Sequence, residues 1–174
     1  KVLLDNKKVK EIEEYYKQCA DDGATEEDIN ASKRAMSSME VILGEPSRLE
    51  RLAVDIHDHY VSSCAGDPDR IQKAMIVCSN RKIAYALLQK FKDKYPEWFE
   101  EKKHPDGVSV KEEELRELKP MPFIAMVSSV GKNDAADMYN YLGGVKNDKR
   151  SEEMDVAFKQ EKSNFCIVIV VDMW

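Results

Sequence analysis

Three short polar segments each follow an apolar run that is suited to a buried strand. They are residues 79–81 (SNR), 128–129 (SS) and 172–174 (DMW). In an open parallel sheet, ligands bind at the carboxyl ends of the strands. Serine hydroxyls, an arginine guanidinium and free backbone N–H groups at a helix start all bind phosphate. The pattern therefore predicts an edge that binds phosphate or a nucleic-acid backbone.

Each segment also has an ordinary structural interpretation. Ser79 or Asn80 can simply cap the following helix and leave Arg81 in solvent. Ser128 and Ser129 can be a plain strand exit, because serine is common in turns. Asp172 can accept hydrogen bonds from a sugar or a neighbouring loop, or cap the chain that follows. The residues alone leave these alternatives open.

Other catalytic chemistry finds little support in the sequence. His57 and His59 are two positions apart on a predicted helix, so they point to nearly opposite sides and do not chelate one metal. No Ser-His-Asp, Cys-His or metal-ligand spacing is present, and neither GxxxxGK[ST] nor GxGxxG occurs. We therefore predict no catalytic residue and no metal ligand within this chain.

The positions of the polar segments depend on three predicted strands. Residues 74–78, 123–127 and 165–171 are continuous apolar runs, as is typical of strands buried on both faces. Helical patterns separate them, which predicts parallel pairing through right-handed crossovers. The run at 165–171 is β-branched over most of its length, and we expect it to be the central strand.

Apolar spacing at three and four residues locates the helices between the strands. Ile83, Leu87, Phe91 and Tyr95 form one stripe, and a short helix over 135–142 ends at the glycine pair 143–144. A further helix is predicted at 151–162, with Met154 and Phe158 facing inward. Residues 96–120 are polar, and we expect a loop insertion that contains a charged surface helix at 111–119, stabilised by the pair Glu112 and Arg116.

The first 68 residues have a different, purely helical character. Apolar stripes predict helices over residues 9–19, 29–43 and 49–60, and residues 66–68 (GDP) end the pattern. We therefore predict a helical segment at 1–68, followed by an α/β domain at 69–174. Lys1 is not an initiator, and the last strand runs almost to Trp174, so we expect an internal segment of a longer protein.

Composition limits the partners of this chain. The 174 residues carry a net charge of −6, so any contact with DNA needs a local basic patch or charge from a larger assembly. The four cysteines, at 19, 64, 78 and 166, form no CxxC pair, which favours a reduced cytosolic protein. No apolar stretch approaches the ~18 residues of a membrane span.

At the strand ends the sequence resembles a known family. Residues 73–84 (KAMIVCSNRKIA) resemble motif IV of the restriction (R) subunits of type I restriction-modification enzymes. Residues 165–174 (FCIVIVVDMW) resemble the segment that leads into motif V of that family, and residues 32–44 (SKRAMSSMEVILG) resemble the helical stretch before motif IV. The resemblance covers at least residues 11–174.

The resemblance implies the second RecA-like domain, a P-loop NTPase-type three-layer fold, of a superfamily 2 helicase-like motor. Such a motor uses ATP and Mg²⁺ to pump double-stranded DNA, and a nuclease domain of the same subunit cuts it. Partners are then the modification and specificity subunits, in the cytoplasm of a prokaryotic cell. Ser79, Arg81, Ser128 and Ser129 would contact the DNA backbone. Asp172, Met173 and Trp174 would position motif V at the cleft that holds ATP and DNA.

Much of that machinery is missing from these residues. The Walker A lysine, the acidic magnesium motif and the nuclease domain are absent, so we expect the chain alone neither to hydrolyse ATP nor to cut DNA. Two other readings stay open. One is a Rossmann-type nucleotide-binding domain, which the lack of a glycine-rich turn disfavours. The other is a non-enzymatic interaction module with a partner-binding helical bundle at 8–63.

Overall fold

The computed structural model describes residue 25 and residues 42–66, 71–132 and 134–171. The chain divides into two compact units, Lys1–Leu43 and Gly44–Trp174. In the first unit only Thr25, Ile42 and Leu43 are described, so the predicted helix at 9–19 and nearly all of the one at 29–43 lie outside the described residues.

The second unit alternates helices and strands. The helices are α1 (Pro46–Ala65), α2 (Arg81–Lys94), α3 (Glu112–Glu117), α4 (Ala136–Tyr141) and α5 (Asn147–Lys159), and two short 3₁₀ helices lie at Pro96–Phe99 and Gly144–Lys146. The strands are β1 (Ala74–Cys78), β2 (Ile124–Val127) and β3 (Ile167–Val171). None of the helices in the described part of the chain is long and apolar enough to cross a membrane.

The three strands form one parallel sheet in the order β1-β3-β2. Ala74 and Ile124 both pair with Ile167, so β1 and β2 flank β3 at the same level. The predictions of parallel pairing and of a central last strand are confirmed. The fold is thus α/β, with helices joining three parallel strands.

Helices cover the two faces of the sheet unequally. On one face, α2 contacts all three strands and α1 packs on α2. On the other face, Met154 and Ala157 of α5 pack with Ala125 and Val168. The fully buried large side chains include Phe91, Phe165, Leu87, Ile124, Met126, Ile167 and Ile169. Each such side chain contributes roughly 1.5–3 kcal/mol by its removal from water, so α2, β2 and β3 are main contributors to stability.

One part of the second face is uncovered. Met75 and Val77 of β1 are 59% and 57% exposed. Their partners on β3 are Val168 and Val170, which belong to the apolar cluster that includes α5. The alternation of side chains along a strand puts Met75 and Val77 on the α5 side of the sheet. The apolar surface of β1 on that side therefore remains open, and the prediction that this strand is buried on both faces is wrong for the described residues.

Local sequence explains where the helices begin and end. Asn80 caps α2, because its side-chain oxygen accepts a hydrogen bond from the Ile83 amide at 2.9 Å. Of the two predicted caps, Ser79 and Asn80, the structure therefore uses Asn80. Gly143, with φ of 95°, follows α4 in the left-handed conformation, as the predicted glycine stop requires.

Three further predictions from the sequence need correction. Helix α5 begins at Asn147, four residues before the predicted start at Ser151, because the Asn147 side chain is anchored in the interior. Leu52, placed on the apolar stripe of α1, is 38% exposed, whereas Leu49 and Ala53 are buried. Residues 96–120 are more than a loop: they include the 3₁₀ helix at Pro96–Phe99, and Lys102 forms an antiparallel bridge with Met121.

Aromatic side chains pack at the edge of the sheet where the strands begin, which we call the amino edge. The Trp98 ring lies 5.2 Å from that of Phe123, just before β2, and 5.8 Å from that of Phe91 in α2. His57 of α1 stacks on Tyr95 with 3.8 Å between the ring centres. We call these rings, together with Tyr60, the aromatic cluster. It ties α1, α2 and the strand starts together.

Candidate functional site

The carboxyl ends of β1 and β2 lie on either side of the end of β3. The strand order requires this, because β3 pairs with β1 through Cys78 and with β2 through Val127. The loop before α2 and the loop after β2 therefore share one edge of the sheet, which we call the carboxyl edge. This edge carries Ser79, Arg81, Ser128 and Ser129, as the sequence predicted from parallel pairing.

Arg81 spans the gap between these two loops. Its Nη2 lies 3.1 Å from Oδ1 of Asp134, and its Nη1 donates to the Ser129 carbonyl oxygen at 3.4 Å. The Arg81 side chain is 33% exposed, whereas the Asp134 side chain is only 4% exposed. The arginine from the β1 side thus compensates a buried carboxylate on the β2 side.

Gly131 makes this close approach possible. Its amide donates to Oδ2 of Asp134 at 2.6 Å. A Cβ atom added at Gly131 would lie 2.0 Å from Nη2 of Arg81, far inside van der Waals contact. The guanidinium therefore lies in the space that a side chain at position 131 would occupy, and only glycine leaves that space open.

The predicted serines differ in their surroundings. Ser79 and Ser129 are exposed, whereas Ser128 is half-buried. The Ser128 hydroxyl donates to the Ser129 carbonyl oxygen at 3.2 Å. Asp172, Met173 and Trp174 lie outside the described residues. Two exposed hydroxyls thus remain at the carboxyl edge for an external acceptor or donor.

Asn147 supports the Ser128 loop from below. Its Nδ2 donates to the carbonyl oxygens of Ser128 at 2.9 Å and Leu142 at 2.8 Å, and the residue is 6% exposed. Sequence reasoning missed this residue, because a lone asparagine among charged residues resembles a surface position. The signal available was its place directly after the 3₁₀ turn Gly144–Lys146.

Side chains also occupy the outer edge of β2. The Met126 amide donates to Oη of Tyr141 at 3.0 Å, and its carbonyl oxygen accepts from Nη1 of Arg150 at 3.1 Å. The Arg150 guanidinium lies 4.9 Å from the centre of the Tyr141 ring, within range of a cation–π contact. Burial raises the pKa of Tyr141, so its hydroxyl stays protonated. At Met126, β2 is closed to another strand.

Exposed lysines surround the carboxyl edge. They are Lys82 in the first turn of α2, Lys132 in the loop after β2, and Lys146 and Lys149 around the start of α5. Exposed carboxylates nearby are those of Asp148, at the start of α5, and Asp137, in the first turn of α4. The edge is therefore locally more basic than the chain as a whole, whose net charge is −6.

The opposite edge holds an apolar cavity. It has a volume of about 280 Å³ and is lined by Tyr60, Trp98, Phe123, Cys64 and Cys166, among others. Burial raises the pKa of the Cys166 thiol to about 11, which keeps it protonated and unreactive at neutral pH. Cys78 is also buried, so both cysteines pack as small apolar side chains.

The described residues offer little for a metal ion or a nucleotide. Within residues 42–66, 71–132 and 134–171, no group of three or more His, Cys, Asp or Glu side chains comes together. His57 is part of the aromatic cluster, where its ring stacks on Tyr95. The hydroxyls and lysines at the carboxyl edge are suited to binding an anion.

Comparison with known proteins adds no relative to this picture. No family model matches the chain, and neither a curated protein nor a solved structure is significantly similar to it.

Proposed function

We propose that this chain is part of the second RecA-like motor domain in the R subunit of a type I restriction-modification enzyme, which translocates and cuts unmodified double-stranded DNA. One observation carries the proposal. The two segments that resemble motif IV and the approach to motif V fold as β1 and β3, neighbouring parallel strands paired from Ala74 to Cys78. Both strands end at the same edge of the sheet, as a motor that uses both motifs in one cleft requires.

The carboxyl edge then faces the DNA backbone. Ser79 and Ser129 present exposed hydroxyls, Arg81 connects the two loops that carry them, and lysines surround the edge. Contacts of this kind go to phosphate oxygens and carry no sequence information. Binding is therefore expected to be independent of DNA sequence and strongly dependent on salt.

The open face of β1 supports membership of a larger sheet. Tyr141 and Arg150 block the outer edge of β2, so an added strand would have to pair beside β1. A chain that leaves β3 and forms a new strand beside β1 crosses the sheet in the same direction as the chain between β2 and β3. Because crossovers are right-handed, the helix of the new crossover must lie on the same face as α5. There it would cover Met75 and Val77.

ATP and Mg²⁺ belong to the proposed whole subunit rather than to these residues. The described residues bring together neither a lysine-bearing phosphate loop nor a cluster of carboxylates, so they do not fit either group by themselves. We derive no step through ATP or Mg²⁺ from them. The modification and specificity subunits, and the cytoplasm of a prokaryotic cell, follow from the same proposal.

The coding sequence on both sides of this chain tests the proposal. A Walker A motif and a nuclease domain upstream, and Leu-Thr-Gly-Phe-Asp directly after Trp174, would support it. A stop codon directly after Trp174, or the lack of any Walker A motif before Lys1, would contradict it. The purified 174-residue chain is expected to show no DNA-stimulated ATP hydrolysis. Measurable turnover would contradict the expectation that the groups for ATP hydrolysis lie in other parts of the subunit.

A second candidate is a non-enzymatic interaction module. Exposed apolar side chains favour it: Leu52 and Val61 on α1, and Met75 and Val77 on β1. Exposed apolar patches mark surfaces that bind other chains. Under this alternative, replacing Val61 and Val77 by lysine would abolish self-association or partner binding, whereas DNA-dependent ATP turnover by the longer polypeptide would be lacking from the start.

A further inference from the structure

Arg81 is part of a compact arrangement that does not need DNA to explain it. Its guanidinium pairs with Asp134 at 3.1 Å, and the Asp134 side chain is almost completely buried. A buried carboxylate is stable only when charge and hydrogen bonds compensate it. Here Arg81 supplies the charge, and the Gly131 amide supplies a hydrogen bond of 2.6 Å.

The position of the guanidinium is closely constrained. Its Nη2 lies 2.0 Å from the position that a Cβ atom at Gly131 would take, and its Nη1 donates to the Ser129 carbonyl oxygen at 3.4 Å. Swinging out toward a phosphate would break these contacts and leave Asp134 buried without its cation. The charge of Arg81 is, moreover, already neutralised by Asp134, so the pair offers an approaching phosphate no net positive charge.

We propose that Arg81 is a positioning residue rather than a phosphate ligand. Together with Asp134 and Gly131 it forms a latch, which holds the loop after β2 against the start of α2 across the end of β3. The latch sets the distance between the exposed hydroxyls of Ser79 and Ser129, which with Lys132 face the DNA backbone. The DNA part of this inference rests on the proposed function, whereas the latch itself does not.

Hydrogen exchange in the 174-residue chain tests the latch directly. Arg81→Ala leaves the acceptor of the Gly131 amide in place, yet the amide and the segment 128–134 are expected to exchange at least about tenfold faster, because the loop is released. Asp134→Asn is expected to have a similar effect. Lys92→Ala, an exposed charge deletion at the far end of α2, is the matched control and should change nothing. Unchanged exchange in folded Arg81→Ala would overturn the latch.

Duplex binding by the polypeptide that contains this chain separates the two roles of Arg81. A positioning role predicts that Arg81→Ala and Asp134→Asn weaken binding by the same factor, about tenfold, with an unchanged slope of log K against log salt. A phosphate contact predicts that Arg81→Ala lowers that slope by about 0.9, while Asp134→Asn leaves or improves the affinity. The second pattern would overturn the positioning role. No binding by the unsubstituted polypeptide would instead count against the proposed function, and the exchange result would still decide the latch.

Discussion

The two edges of the sheet are held together by different forces. At the amino edge, the rings of the aromatic cluster pack around Trp98 and join α1, α2 and the approach to β2. At the carboxyl edge, the contacts are directional: Arg81 with Asp134, and Asn147 with the carbonyl oxygens of Ser128 and Leu142. The amino edge is therefore held by apolar burial, and the carboxyl edge by hydrogen bonds and an ion pair.

This difference assigns the two edges different tasks. Apolar packing is insensitive to small shifts and suits a scaffold. Hydrogen bonds and ion pairs fix the positions of loops to a few tenths of an ångström, as is needed where polar groups must meet a ligand. Lys73 illustrates the exception at the amino edge, where its Nζ donates to the carbonyl oxygens of Ser163 at 3.0 Å and Phe165 at 2.7 Å.

The largest effect is expected at the centre of the aromatic cluster. Trp98→Ala removes the ring that contacts His57, Phe91 and Phe123, and should lower the free energy of unfolding by about 3 kcal/mol. Urea denaturation measures this change. Trp98→Phe keeps a ring and serves as the control with a smaller loss. A loss below about 1 kcal/mol for the alanine variant would mean that the cluster does not hold the amino edge.

A smaller loss is expected for the support of the carboxyl edge. Asn147→Ala leaves the carbonyl oxygens of Ser128 and Leu142 without their donor, at a cost of about 1–3 kcal/mol. The Asn147→Ala variant should also show faster amide exchange in the loop after β2, while amide exchange around the aromatic cluster stays unchanged. Asp148→Ala, at the exposed neighbouring position, is the control. Equal exchange at both edges would contradict local support.

Alkaline pH is expected to weaken the amino edge. Burial raises the pKa of Cys166 from 9.0 to about 11, so the folded chain holds a proton that the unfolded chain releases above pH 9. Stability is then full below pH 9 and falls as the pH rises toward 11, by on the order of 1 kcal/mol at pH 10. Half-buried Tyr60, whose pKa desolvation raises, adds to this loss, whereas Lys73, whose pKa desolvation lowers, opposes it.

Denaturation under reducing conditions at pH 8 and pH 10 measures this dependence. Cys166→Ala should flatten it, and Cys64→Ala, at a half-buried neighbouring thiol, is the comparison variant. An unchanged pH dependence in Cys166→Ala would show that the buried thiol is not the cause.

The smallest effect is expected on the surface, away from both edges. Glu112 and Arg116 form the predicted i,i+4 pair of α3, but they are 4.0 Å apart and almost fully exposed. Arg116→Ala should change the free energy of unfolding by less than about 0.5 kcal/mol. A larger change in urea denaturation would show that α3 contributes to a region beyond its own helix.

Features carried by apolar patterns could be predicted from the sequence. The run at 165–171 is too apolar and too β-branched for a strand with an exposed face, so its central place followed from composition alone. Parallel pairing of the strands then predicted that Ser79 and Ser128 lie at one edge, and this step needed no knowledge of side-chain contacts. These inferences need only periodicity and the handedness of crossovers.

Features carried by contacts between distant residues could not be predicted. Asp134 is 53 positions from Arg81, and nothing in its local sequence marks it as buried. Trp98 lies in a polar stretch, and its ring partners come from α1, α2 and the approach to β2. The early start of α5 at Asn147 likewise depends on hydrogen bonds to the Ser128 loop rather than on helix propensity.

Hydrogen exchange with and without duplex DNA tests the central claim, that the carboxyl edge faces DNA and the amino edge is scaffold. The polypeptide that contains this chain would be measured at low salt, with a duplex of arbitrary sequence. We expect slower exchange at residues 79–82 and 128–134 on adding DNA, and no change at the 3₁₀ helix Pro96–Phe99. Protection at the aromatic cluster without protection at the carboxyl edge would contradict the account, and so would no protection at either edge.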